Sequence, residues 1–225
     1  MPTVPEVRVW DPIVRLIHWV LVAAFIVAYA TGDDWLTPHV WSGYIAGGAV
    51  ALRLVWGLIG TKHARFTDFV YGPQAVKAYL VSLVTFSARR YVGHSPAGGV
   101  MIVLLLATMA VTAVTGLVLY GGAEQAGPLA PIVAPRLDPS QAPGRARTIV
   151  GDSDDEDHAR GVKRGEREHA LEEAHEFFAD LTLFLVLIHV AGVLVMSLAH
   201  RENLVRAMVT GRKQAPEPDP GRPGS

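Results

Sequence analysis

The sequence predicts an all-α membrane protein: a four-transmembrane-helix up-and-down bundle with an interfacial helix and a long outer loop. Three observations lead there. Half of the 225 residues are apolar and only 18% are charged, against about 25% in soluble domains. The missing charge is missing in blocks, with no Asp, Glu, Lys or Arg from Ala97 to Ala123 or from Leu181 to Ala199. Four histidines sit in or at the edge of such blocks, where an ionisable group is costly and marks function.

Apolar runs of about 18 residues or more read as membrane spans. The first runs from about Pro12 to Thr31, with Pro12 suited to a helix start. It contains His18 and is followed by Asp33-Asp34, not by a small-residue cleavage site, so it reads as a retained span and not a signal peptide. The second runs from about His39 to Gly60, the third from about Ala97 to Tyr120, the fourth from about His175 to Ala199. Short connections and the need to satisfy every backbone group in lipid favour antiparallel helices.

Two connections are long. Gly72-Pro73 opens a segment with Val76, Tyr79, Leu80, Leu83 and Val84 at helical spacing, which predicts an amphipathic helix on the inner interface. Residues 121–174 form the outer loop, first rich in Pro and Gly, then charged. It carries the acidic run Asp152, Asp154, Asp155, Glu156 and Asp157, and becomes helix-forming from about Val162. Residues 1–213 read as one membrane domain and 214–225 as a disordered Pro-rich tail.

Lys and Arg set the orientation. Arg8, Arg15, Lys62, Arg65, Lys77, Arg89, Arg90, Arg201, Arg206, Arg212 and Lys213 fall on one side, whereas the first connection has no basic residue. Both termini are therefore expected to be cytoplasmic. Trp10 and Trp56 then sit near the inner interface, Trp35 and Trp41 near the outer one.

Several function classes drop out. Without cysteine there is no disulfide framework, thiolate nucleophile or iron–sulfur cluster. A net charge of −1 gives no pull toward nucleic acid. The acidic run lacks the glycine of a calcium loop, having Asp157 in its place.

The histidines carry the argument. His175 and His189 are fourteen residues apart, about 1400° of helical rotation, so they point to one side about 21 Å apart along the axis. Antiparallel topology pairs His189 with His18, and His175 with His39. Paired imidazoles on facing helices are what a six-coordinate haem iron requires; interhelical hydrogen bonding is the competing reading. Gly43, Gly47, Gly48 and Gly192 suit either a flat macrocycle or close helix packing. Arg53, fourteen residues after His39, reads as a partner for a haem propionate or as a side chain snorkelling to the headgroups. Arg15 has the same two readings.

The motifs resemble a known family. Arg8-Val9-Trp10-Asp11-Pro12 with Arg15-Leu16-Ile17-His18-Trp19 is similar to the opening of bacterial cytochrome b561 proteins and of the b-type cytochromes of nickel-iron hydrogenases. His39-Val40-Trp41-Ser42-Gly43 and Arg53-Leu54-Val55-Trp56-Gly57-Leu58-Ile59-Gly60 resemble their second span. Gly93-His94-Ser95-Pro96 resembles a Gly-His-Asn-Pro element, and Arg201-Glu202-Asn203 an Arg-Glu-Asp element. The resemblance implies two haem b groups, with His18, His39, His175 and His189 as iron ligands. It also implies electron transfer between the quinone pool and another carrier in a bacterial inner membrane. It gives no ligand role to His63, His94 or His200. A c-type cytochrome or an oxidoreductase subunit is the expected partner, beside the lipid bilayer. The alternatives are an intramembrane-histidine ion or proton transporter and a haem-bearing anchor subunit of a hydrogenase-type oxidoreductase.

Overall fold

A computed structural model describes residues 6–32, 34–85, 87, 91, 93–133, 154–199 and 202–214, with only the backbone described at 84, 123, 154–165 and 214. The protein is an all-α membrane bundle with four helices long and apolar enough to cross a bilayer. Large apolar side chains such as Leu58 and Leu198 are 73% and 80% exposed, a surface suited to lipid and not to water.

Helix α1 spans Pro12–Thr31. Asp11 caps it, its carboxylate accepting from the Val14 N–H at 2.9 Å, and Pro12 loses nothing in the first turn. Helix α2, Leu36–Ile59, begins three residues before His39 and packs against α1. A 3-10 turn, Lys62–Ala64, leads to the short α3, Phe66–Phe69. A Cβ at Gly57 would lie 2.1 Å from the Phe66 ring, and one at Gly99 2.1 Å from the Phe69 carbonyl oxygen. These glycines therefore let α3 wedge against its neighbours, with Phe69 fully buried.

The amphipathic segment is helix α4, Pro73–Val84. Helix α5 spans Pro96–Ala123. Ser95 begins it by accepting from the Gly98 N–H at 3.2 Å. Serine and asparagine serve equally well there, so the departure from the Gly-His-Asn-Pro pattern keeps its capping chemistry. The connection after α5 is more helical than its composition suggests. It contains α6, Ala130–Val133, and then α7 from Asp154 to Ala199, 46 residues long. The helix starts eight residues before Val162 because acidic residue types fill its first turn, where the dipole favours negative charge. Of the acidic run, Asp152 lies outside the described residues, as do His200, Arg201, Arg89, Arg90 and the tail from 215.

The chain's last described elements close on its first. Asn203 caps α8, Leu204–Thr210, by accepting from the Arg206 N–H at 2.7 Å; this is the capping role an aspartate would also fill. Gly211, at φ 80°, turns the chain into β2, Arg212–Gln214. This strand pairs antiparallel with β1, Glu6–Arg8. The N–H groups of Val9 and Trp10 donate to the Gly211 carbonyl at 2.9 and 3.2 Å. Two compact units result, Met1–Ala110 with Leu181–Ser225, and Val111–Asp180.

Candidate functional site

His18 and His189 belong to the same unit, on α1 and α7, and lie within electrostatic reach of each other. The Nδ1 of His18 is buried and meets no hydrogen-bond partner among the described residues. His39 and His175 belong to different units, so each is described by its own surroundings.

Both of these latter rings are held through Nδ1. His39 Nδ1 lies 2.9 Å from the Ala28 carbonyl on α1. His175 Nδ1 lies 3.0 Å from the Thr112 carbonyl and 3.1 Å from Thr115 Oγ1, both on α5. A carbonyl oxygen only accepts, so Nδ1 is the protonated nitrogen in each ring and Nε2 carries the lone pair. This is how a metal-ligating histidine is oriented by its surroundings. Gly116 brings α5 against the His175 ring, since a Cβ there would lie 2.9 Å from Cε1.

The residues present fit a bis-imidazole iron. Among the described residues no three His, Asp or Glu side chains converge as a multidentate metal site needs. Haem iron takes four ligands from its porphyrin and asks only two of the protein. A Cβ at Gly43, Gly48 or Gly192 would meet nothing within 4 Å. Close packing against another described helix is therefore not what these glycines serve.

Arg53 is buried against the aromatic rings of α3. It is 6% exposed, with its guanidinium 5.4 Å from the Phe66 ring centre and 5.7 Å from that of Phe69. It lies in the last third of α2, packed beside the rings of α3. Arg15 donates through Nη1 to the Val209 carbonyl at the end of α8, while its buried Nε meets no hydrogen-bond partner among the described residues.

Sequence reasoning missed what surrounds Arg53. His94, to which the resemblance gives no ligand role, stands between Trp10 at 4.4 Å and Phe69 at 4.7 Å between ring centres. Burial, then the charges of Arg53, Lys213, His63 and His189, push its pKa down to about 3, so the ring is neutral. Lys213 arrives from β2, donates to the Tyr91 carbonyl at 3.2 Å and lies 5.9 Å from the Trp10 ring. His63 is paired with Asp68 at 2.8 Å. Asp11 does more than cap: its other oxygen accepts from Trp56 Nε1 at 3.1 Å and from Thr61 at 2.5 Å. Burial raises its pKa, but these hydrogen bonds and the Val14 N–H outweigh that and leave it lowered. Trp10 and Trp56 are thus packed and hydrogen-bonded within the protein, whereas Trp35 and Trp41 are 67% and 64% exposed. The available signal was Asp11-Pro12, an N-cap followed by proline; nothing local pointed to His94.

Residues 9–211 match the model of a family described as prokaryotic cytochrome b561. No curated protein and no solved structure matches the chain.

Proposed function

Because the chain belongs to the prokaryotic cytochrome b561 family of membrane b-type haem electron-transfer proteins, we propose that it carries two bis-histidine b haems and relays electrons between the quinone pool and a periplasmic or membrane redox partner. One haem is assigned to His18 and His189, the other to His39 and His175. The observation that carries this reading is the pair of Nδ1-to-carbonyl contacts at His39 and His175, which direct a basic Nε2 away from the backbone that holds each ring.

When bound, a haem with two imidazoles supplies one-electron exchange with no open coordination position. The protein contributes position and potential. His18 and His39 come from α1 and α2, which pack together, and both proposed partners, His189 and His175, belong to α7. The Ala28 and Thr112 carbonyls hold their rings in one tautomer. Arg53 supplies a buried positive charge near His94. The transporter reading has no comparable observation behind it.

The protein is a multi-pass bacterial membrane protein. We place it in the inner membrane with both termini cytoplasmic, on the distribution of Lys and Arg. The acidic run from Asp152 to Asp157 then faces the periplasm, where it suits a basic partner such as a c-type cytochrome.

The test is optical. Purified protein, oxidised and then reduced with dithionite, is expected to give a b-type spectrum, with two haems per chain by pyridine haemochrome. A colourless protein, or a saturated stoichiometry of one, contradicts the proposal.

A further inference from the structure

Three side chains near the termini carry a buried nitrogen that no hydrogen-bond partner meets among the described residues: Nε of Arg15, whose guanidinium already donates to the Val209 carbonyl, and Nη1 of Arg53 and Nδ1 of His94, the pair beside Phe69. Both side chains of the pair are fixed. The guanidinium faces the Phe66 and Phe69 rings, and the His94 ring stands between Trp10 and Phe69. They therefore flank one fully buried aromatic ring, Phe69. The carboxylate whose charge reaches Arg53 is Asp11, but its oxygens are taken by Val14, Trp56 and Thr61. An unsatisfied buried donor costs about 1–3 kcal/mol, more when charged, so two against one ring call for an acceptor. Lys213 adds a second positive charge within reach of His94.

We propose that Arg53 and His94 together bind a carboxylate, and that this carboxylate is a propionate of the haem held by His18 and His189. The acceptor must be anionic, because the buried guanidinium of Arg53 and the ring of His94 both lie against Phe69 with Lys213 and His63 adding positive charge at His94. It must also lie within electrostatic range of His189, which is among the groups that act on His94. A propionate of that haem meets both conditions. Arg53 supplies charge and a hydrogen bond; neutral His94 supplies a hydrogen bond alone. Both are positioning residues, acting on the haem and not on the reacting electron donor. The assignment rests on the haem reading above.

The test is an equilibrium redox titration of haem-loaded protein, followed in the b-type absorption band, for wild type, Arg53→Gln, Arg53→Lys, His94→Phe and the double variant Arg53→Gln/His94→Phe. Removing a nearby cation favours the ferric state. Arg53→Gln is expected to shift one haem about tenfold toward oxidised, close to 59 mV for one electron, and leave the other unmoved. Arg53→Lys is expected to recover part of the shift, and His94→Phe to give about threefold. The double variant should fall short of the sum, because both side chains hold one group. The resonance Raman propionate bending band should move in each variant that shifts the potential. Unshifted potentials, or a Raman band that stays in place, overturn the proposal, as does strict additivity. Added acetate separates the sources: a wild-type potential that moves with acetate shows that the site takes carboxylate from solution, and the propionate assignment fails. Haem content distinguishes this from failure of the underlying reading. If His18→Ala and His189→Ala retain both haems, that reading falls; if each loses one haem while Arg53→Gln shifts nothing, only the propionate site falls.

Discussion

At His39 and His175 the ring is fixed by one backbone carbonyl of a neighbouring helix, Ala28 in one case and Thr112 in the other. At the end of α1 near the termini, fixation is distributed. Trp10 and Asp11, Arg53 and Trp56, Phe69, His94 and Lys213 come from separate stretches of chain and close on one another. The first arrangement needs a short side chain and a correct helix register. The second needs α3, α8 and the two-stranded ribbon to be in place first. A substitution in the first should therefore remove one ring's function and little else. A substitution in the second should cost stability before it costs chemistry.

Gly116→Val is the largest expected effect and the sharpest way to break this contrast. A Cβ at 2.9 Å from His175 Cε1 forces either the ring or α5 to move. One of the two haems should be lost while the spectral component of the His18–His189 haem persists, as measured by haemochrome content and the reduced spectrum. Loss of both haems would show that the His175 region is not independent.

How far this could be read in the sequence follows the same line. The spans and the helix at Pro73–Val84 were legible because each is a local signal: an apolar run and a helical spacing. The start of α7 at Asp154 was half legible, since an acidic run reads as a loop unless its fit to a helix N-terminus is weighed. The ribbon between Glu6–Arg8 and Arg212–Gln214 was not legible. Three-residue strands have no periodicity to detect, and their pairing depends on α8 folding back. His94 was missed for the same reason: the rings that bury it, Trp10 and Phe69, lie 84 and 25 residues away in sequence.

Asp11→Ala is the next effect in size. It removes a helix cap worth about 0.5–2 kcal/mol and strands the Trp56 indole N–H, a loss of about 1–3 kcal/mol. A total near 2–3 kcal/mol is expected as a lower denaturation midpoint, with haem content unchanged below the transition. The folded-state pKa of Asp11 lies below 3.8, so its contribution is fully present above that value. It is lost as pH falls through the lower folded value. The gap in stability between wild type and Asp11→Asn should accordingly shrink in acid; a gap that widens there contradicts the capping account.

Gly211→Ala is smaller and tests the ribbon alone. The residue sits at φ 80°, and a Cβ would stand 2.7 Å from the Trp10 carbonyl oxygen. Strain of about 1–2 kcal/mol is expected, read as faster hydrogen exchange at the Val9 and Trp10 amides with both haems retained. Unchanged protection there would mean that the ribbon does not hold the N-terminal segment.

The pairing of the four histidines is tested most directly by haem stoichiometry in the single variants His18→Ala, His39→Ala, His175→Ala and His189→Ala and in their double combinations. Two substitutions on one iron should be non-additive, and two on different irons should remove both haems. His18→Ala/His189→Ala is expected to keep one haem with the same spectrum as either single variant, and so is His39→Ala/His175→Ala; His18→Ala/His39→Ala should be colourless. If His18 and His175 instead behave as one unit, with His39 and His189 as the other, the assignment is wrong even though the protein still binds haem.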